Sequence, residues 1–415
     1  MQRVFISDLH MGDGFLDDNF TFDTDLVELL EELMASGKQT ELVILGDALE
    51  LVETRVVKEI GLVSFDEVLE KIDERVIDDI AANHPKVFHA LRKFLRGNRI
   101  CYVIGNHDYY FLRKEKLRDR FRELLVDGDQ VEFAPYFYDR EWGVFAYHGS
   151  NFDPANRFGK DRKTGQIVPP IGDFMTRYMM VNFREKLVNG DFPESIPRDY
   201  DDVRPNIDIF DWIEYVMETY DLSINLMQMW VGELIKMLRT VYARQWMKSN
   251  YPKAHRVSNL FINKMGGIRL GRFIILMISK LRALKRTDYM RRKAQSILIH
   301  GKDNPKKRFT ESDFWGFCEM PQIDYGRLHG LLFAHRHKFD NFVFPSNGDN
   351  KFYINTGTWR KVIERGGKRD IKRFVHRQEL SSVVIREHNK HLDIQCVMKN
   401  VIGNRNLSRA SIEVG

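Results

Sequence analysis

At 415 residues, 43% of them hydrophobic and 30% charged, the chain has a globular composition with enough apolar residues for two or three domains, or one domain carrying a large insertion. A formal net charge of +5 is too small at this length to indicate a nucleic-acid partner by itself, and no run of 18 or more uncharged apolar residues offers a membrane span. Cys101, Cys318 and Cys396 are odd in number and far apart, which excludes a disulfide framework or zinc knuckle and suits a reducing, cytoplasmic setting.

Residues 1–150 alternate between strand and helix patterns. Residues 4–6 predict a strand that starts almost at the first residue, with no leader ahead of it. Residues 23–34 place leucines and a valine at helical spacing, and 42–45 predict a buried strand ending in Gly46-Asp47. Val68, Leu69, Ile72, Val76 and Ile80 share one stripe and predict a single amphipathic helix over 65–82; a second helix follows Pro85, which suits a first turn. Residues 101–104 predict a strand ending in Gly105-Asn106-His107-Asp108. Residues 131–133 and 144–147 add two more, the latter ending in His148-Gly149. Such alternation predicts an α/β layered fold. Polar residues fall repeatedly just past strand C-termini, where open α/β sheets place their sites.

Residues 151–325 read as a large helical insertion, with Leu222, Leu226, Met229, Trp230, Leu234, Met237 and Val241 on one long stripe. Its charge is split: residues 191–221 hold ten acids against two arginines, and residues 234–293 hold sixteen Lys/Arg against one acid, Asp288. Strand patterns return at 331–333, 342–344, 352–355, 382–385 and 392–397. Residues 1–150 and 326–403 are therefore expected to form one discontinuous core, with 404–415 a flexible tail.

Five strand-end stretches together carry a candidate dinuclear metal site: Asp8-Leu9-His10, Asp47, Asn106, His148 and His335-Arg336-His337. One metal would take Asp8, His10 and His337; the other Asn106, His148 and His335; Asp47 would bridge. Mixed oxygen and nitrogen ligands without thiolate suit two divalent ions such as Mn²⁺, with Fe or Zn²⁺ as alternatives, rather than Mg²⁺ or Ca²⁺. Such a pair lowers the pKa of water and holds phosphoryl oxygens. His107 is left over and reads as a general acid, with Glu50 or Asp108 as its acidic partner. Asn156 and Arg157, leaving the His148 strand, are candidates to face the substrate. Residues 264–293 set Phe273, Ile274, Ile275, Leu276, Met277 and Ile278 among many basic residues. Three readings stand: burial in the insertion with pairing to the acids of 191–221, peripheral contact with an anionic membrane, or a nucleic-acid groove.

The series Asp8-x-His10, Gly46-Asp47, Gly105-Asn106-His107-Asp108, His148-Gly149 and His335-x-His337 resembles the calcineurin-like metallophosphoesterase superfamily, in the family's order. The resemblance covers 1–150 and about 328–360, not the insertion. It implies a two-layer β-sandwich flanked by helices and the ligand assignment given above. Ala334 stands where the family's last motif usually begins with Gly. The arginine that the protein Ser/Thr phosphatase branch carries soon after the bridging Asp is missing from residues 46–51, which argues against that branch. Asp8-Leu9-His10-Met11-Gly12 and Asn355-Thr356-Gly357-Thr358-Trp359 are similar to the UDP-2,3-diacylglucosamine hydrolase branch, although that branch has arginine in place of His107 and a shorter insertion.

The expected function is phosphohydrolysis of a phosphodiester or pyrophosphate in a phosphorylated small molecule, amphipathic, lipid-linked or nucleotide-linked, with the insertion as a lid. A nuclease of the double-strand-break repair type is an alternative that would use the basic stretch on DNA. A non-catalytic scaffold is a third, and retention of all seven candidate ligands plus His107 argues against it.

Overall fold

The computed structural model describes residues 1–15, 20–126, 128–161, 164–253, 255–256, 289–346, 349–366, 373–388, 391–400 and 405–414. The strands are β1 (Gln2–Ile6), β2 (Thr40–Leu45), β3 (Arg99–Val103), β4 (Val131–Ala134), β5 (Phe137–Asp139), β6 (Val144–Tyr147), β7 (Gly159–Lys160), β8 (Ile167–Val168), β9 (Gly330–Phe333), β10 (Phe339–Ser346), β11 (Asp349–Thr356), β12 (Val362–Gly366), β13 (Arg373–Arg377), β14 (Glu379–His388), β15 (His391–Asn400) and β16 (Arg405–Val414). A seven-stranded sheet has the order β16-β15-β14-β1-β2-β3-β4 and a five-stranded sheet the order β10-β11-β9-β6-β5. Within them β1, β2, β3 and β4 pair in parallel, as do β6, β9 and β11.

The two sheets face each other. Because side chains alternate along a strand, Phe5, Val43, Leu45 and Val103 point into a shared interior with Val144, Ala146, Leu332, Ala334 and Ile354. Their neighbours Val4, Ile6, Leu42, Ile44, Ile100 and Tyr102 face the other way, onto helices Asp23–Ala35, Pro85–Leu95 and Glu115–Leu124. The α/β sandwich flanked by helices is thus in place. Its parallel strands carry their C-terminal ends to one edge, and all five candidate stretches leave from such ends.

The helix expected over 65–82 is two helices, Phe65–Lys71 and Arg75–Asn83. Ile72 turns extended (ψ 135), and the Asp73 side chain accepts the Arg75 N–H at 3.1 Å, a local turn that competes with helix continuation. Ile72 stays fully buried, so the apolar stripe survives the break. The stripe over 222–241 belongs mainly to helix Leu226–Arg239, opened by Asn225, whose side chain accepts the Gln228 N–H at 2.9 Å. Thr240 is extended and caps the next helix, Val241–Asn250. The expected tail is a further correction. Residues 405–414 pair antiparallel with β15, because an edge strand leaves backbone donors and acceptors that a second strand satisfies.

The insertion does not pack as one body. Phe174, Phe183, Ile196, Trp212, Ile213, Leu226 and Met237 form their own apolar cluster, which also takes in Ile363 from β12. Met290, Ala294, Ile297, Phe309, Phe314 and Phe317 instead join the main core. Four of the acids of 191–221 pair with residues of 360–365. Asp201 and Asp202 pair with Arg360, Asp199 with Lys361, and Asp211 with Arg365. The expected interfacial or nucleic-acid-binding segment falls almost wholly on 257–288, outside the described residues. No described helix is long and apolar enough to cross a membrane.

Candidate metal centre

Asp8 and His10 follow β1, Asp47 follows β2, Asn106 and His107 follow β3, His148 follows β6, and His335 and His337 follow β9. Three groups of ligand-type atoms meet there, each within 4.8 Å: Asp8, His10 and His337; His10, Asp47 and His107; and Asp47, His148 and His335. The loops are held in register by backbone bonds. The Asp8 N–H donates to Gly46 O (3.0 Å), the His10 N–H to Asp47 O (2.9 Å) and the Ala334 N–H to His148 O (3.0 Å). The extra methyl of Ala334 is fully buried between the sheets.

The backbone is strained here. Asp8 (φ 51), His10 (φ 53), Asp47 (φ 54), His335 (φ 70) and His337 (φ 53) all occupy the left-handed region, where among described residues only Val126 and Asp221 join them as non-glycines. Each such residue costs roughly 1–3 kcal/mol, and such strain persists where surrounding structure over-determines it.

The donor set fits divalent cations. His148 Nδ1 donates to Leu45 O at 2.9 Å, so Nε2 presents its lone pair toward Asp47 Oδ2 and Asn106 Oδ1, each 3.1 Å away. Three acceptors converge. Either a cation joins them or the imidazole must hold the proton itself; burial opposes that, but Asp47 raises its pKa to about 9. At the other end His10 Nδ1 lies 3.0 Å from Glu50 Oε2, which turns His10 Nε2 toward His337 Nε2 at 3.2 Å. His337 Nε2 is also 3.2 Å from Asp8 Oδ1, a buried oxygen with no hydrogen-bond partner. Burial pushes His10 down to about 4 and His337 well below its ordinary value, so both imidazoles are neutral. Two lone pairs and a carboxylate oxygen facing one another make a cation pocket.

His107 packs against this cluster. Its ring Nδ1 is 2.7 Å from Glu50 Oε2, and its backbone N–H donates to Asp47 Oδ1 at 2.8 Å. Burial lowers its pKa, but Glu50 and Asp47 outweigh it and raise the value to about 10. Burial raises Glu50, yet His107 and His10 hold it well below the usual carboxylate range. Of the two partners read for His107, Glu50 is therefore the one in contact. Asp108 is turned away, accepting from Tyr102 Oη (2.8 Å), Gly105 N (2.6 Å) and Ala48 N (3.0 Å), and so braces the loops.

Asn156 Nδ2 lies 3.5 Å from His335 Nε2 and lines a narrow cleft with Asn106, His107, Phe65, Tyr110 and Phe158. Arg157 lines a separate cleft with Trp246 and Tyr251. Asp153 and Arg377, not among the candidate site residues of the sequence, belong here, as does Thr358 of the 355–359 motif. Asp153 Oδ2 is 3.3 Å from His335 Nε2, the Arg377 side chain donates to His337 O at 2.8 Å, and Thr358 donates through Oγ1 to Asp8 O at 2.8 Å. Asp153 lies in the same 151–157 segment as Asn156, the one signal that would have found it.

Gly105 leaves no room for a side chain: a Cβ there would lie 2.1 Å from Asp47 Oδ1. Gly105→Ala is therefore expected to cost about 1–3 kcal/mol of stability and to lower metal content. Thermal melting with metal analysis checks both; an unchanged metal content would mean that Asp47 does not need this close approach.

This is a cluster of His and Asp groups on the strand ends of an α/β sandwich that could bind metal ions, an arrangement compatible with a metal-dependent phosphohydrolase. The family model described as calcineurin-like phosphoesterase matches residues 1–175, which supports that metal-dependent superfamily for this part of the chain. His335 and His337 lie beyond the match and reach the cluster through β9. No curated protein matches the chain.

Proposed function

We propose that the protein is a dinuclear metal-dependent phosphohydrolase acting on a phosphodiester or phosphoanhydride bond. The observation that carries this reading is the convergence of Asp8, His10, His337, Asp47, His148 and His335 in overlapping groups, with His107 seated on Glu50 beside them. Asp8, His10 and His337 would hold one ion, Asn106, His148 and His335 the other, with Asp47 between them. Bound there, two divalent cations supply Lewis-acid charge that acidifies water and neutralises phosphoryl oxygens.

The chain's own residues supply the rest. Glu50 keeps the His107 ring oriented and protonated, so that it can give a proton to the departing alkoxide. Leu45 O and Glu50 fix the tautomers of His148 and His10. Phe65, Tyr110 and Phe158 wall the cleft beside His107 and exclude water from the leaving-group side. Similarity of two short motifs to the UDP-2,3-diacylglucosamine hydrolase branch favours a diphosphate-containing substrate. Mn²⁺ is the ion of first choice.

The test is hydrolysis of a bis-aryl phosphodiester by purified protein with Mn²⁺, Fe²⁺, Co²⁺ or Zn²⁺. Activity should vanish with chelator and return on adding metal back. Absence of activity with all four ions, or activity indifferent to chelator, would overturn the reading.

A further inference from the structure

The tautomers of His148 and His10 are set from the core, by Leu45 O and by Glu50. His335 takes its partner from the insertion instead. Its Nε2 lies 3.3 Å from Asp153 Oδ2. The same Oδ2 accepts from Asn156 Nδ2 at 3.2 Å, and Asp153 Oδ1 accepts the Ala155 N–H at 2.8 Å. Asn156 Nδ2 is itself 3.5 Å from His335 Nε2. An amide nitrogen is a donor only, so of these two neighbours the carboxylate alone can accept a proton from the ring.

A neutral imidazole has one donor nitrogen and one acceptor nitrogen. A carboxylate opposite Nε2 keeps the proton there and leaves the Nδ1 lone pair for a cation. The carboxylate is in turn held by the insertion. The Asp153 carbonyl accepts the Asn156 and Arg157 N–H groups at 3.2 and 2.9 Å, which closes a turn around the side chain. The Gly172 N–H donates to Ala155 O at 2.9 Å and Tyr251 Oη to Pro154 O at 3.0 Å. Asn151 Nδ2 donates to Asp313 O and Trp315 O at 3.1 and 3.0 Å. Gly172 lies in helix Ile171–Met179, and Tyr251 follows helix Val241–Asn250. Parts of the insertion far apart in sequence thus grip the segment that carries Asp153.

We propose that Asp153 is a positioning residue for the half of the centre built on Asn106, His148 and His335: by holding the His335 proton on Nε2 it makes Nδ1 the ligand nitrogen. This rests on the dinuclear reading above and deepens it. The insertion then has a task besides walling the cleft, because its grip on residues 151–155 orients one ligand of one ion. The half built on Asp8, His10 and His337 comes from the core and does not depend on Asp153.

The experiment uses the full chain and Zn²⁺, whose diamagnetism permits nuclear magnetic resonance of nitrogen-labelled histidines. In the zinc-loaded wild type His335 should carry its proton on Nε2. Asp153→Asn keeps an oxygen for the Ala155 N–H and sets an amide donor opposite Nε2, which favours the other tautomer. Titration against a competing chromophoric chelator should give two Zn²⁺ per wild-type chain. In Asp153→Asn one of them should keep its affinity and the other should weaken about 10- to 100-fold. Unchanged affinity for both ions, equal weakening of both, or a wild type that takes up no second ion would overturn the role. So would a zinc-loaded wild type with His335 protonated on Nδ1, a result that does not depend on whether the variant folds. A wild type that binds both ions with the expected tautomer yet hydrolyses no phosphodiester would overturn the hydrolase reading and leave the role of Asp153 standing.

Discussion

Asp47→Asn is expected to lower kcat/KM by about 10³-fold or more, the loss of several kcal/mol of metal-derived charge stabilisation. Metal content should fall from two ions per chain toward one or none. Asp47 is the carboxylate common to both halves of the cluster, with Oδ2 3.1 Å from His148 Nε2 and 3.9 Å from His10 Nε2. Asparagine keeps the size and an oxygen acceptor, so the His107 N–H need not lose its partner and the loops should stay in register. What disappears is the negative charge that would offset the mutual repulsion of the two cations proposed to bind there. Metal analysis and kinetics on the same preparation check this. Two tightly held ions and near-normal rates in Asp47→Asn would mean that the ions are held elsewhere.

His107→Ala should produce a loss that depends on the leaving group. For a substrate with an alkyl alcohol leaving group, kcat is expected to fall by about 10²–10⁴-fold, the usual contribution of a positioned acid. For an aryl leaving group, whose oxygen departs without a proton, the fall should be below about 10-fold. The geometry supports that asymmetry. His107 lies against Glu50 at 2.7 Å, which favours the charged imidazolium, and it faces the cleft that Asn106 and Asn156 also line. Equal losses on both substrates would instead make His107 a ligand or a structural support. That alternative is concrete, because the ring also falls within one of the ligand groups, with His10 and Asp47.

Much of the candidate site is legible in the linear chain because strand periodicity and the polar residues that break it are local signals. The strands before Asp8, Asp47, Asn106 and His148 can be read directly, and so can β9 before His335. Other features are not local. Glu50 and Asp108 are equally acidic and equally near in sequence to candidate ligands. Only the turn after Gly105, which gives Asp108 to Tyr102 and two backbone N–H groups, leaves His107 to Glu50. The break at Ile72 escapes the periodicity because Ile72 remains on the buried stripe. The edge strand Arg405–Val414 escapes it because its partner, β15, supplies the backbone hydrogen bonds that its own composition does not advertise.

The charge pattern of the insertion teaches the same point. Ten acids in 191–221 and sixteen basic residues in 234–293 invite pairing by proximity in sequence. Four of those acids, Asp199, Asp201, Asp202 and Asp211, pair with Arg360, Lys361 and Arg365, which fasten the cap to the core. Coulomb attraction depends on distance in space, and this topology brings Arg360 within 3.0 Å of Asp202, 158 positions away. By itself, then, the sequence determined the α/β class, the strand ends and the residue types of a His/Asp centre, since each is set by side-chain chemistry and short-range alternation. Only the tertiary structure decided which acid lies against His107, which arginine donates to the His337 carbonyl, and where the cap is anchored, because these depend on which distant loops the two sheets bring to one edge.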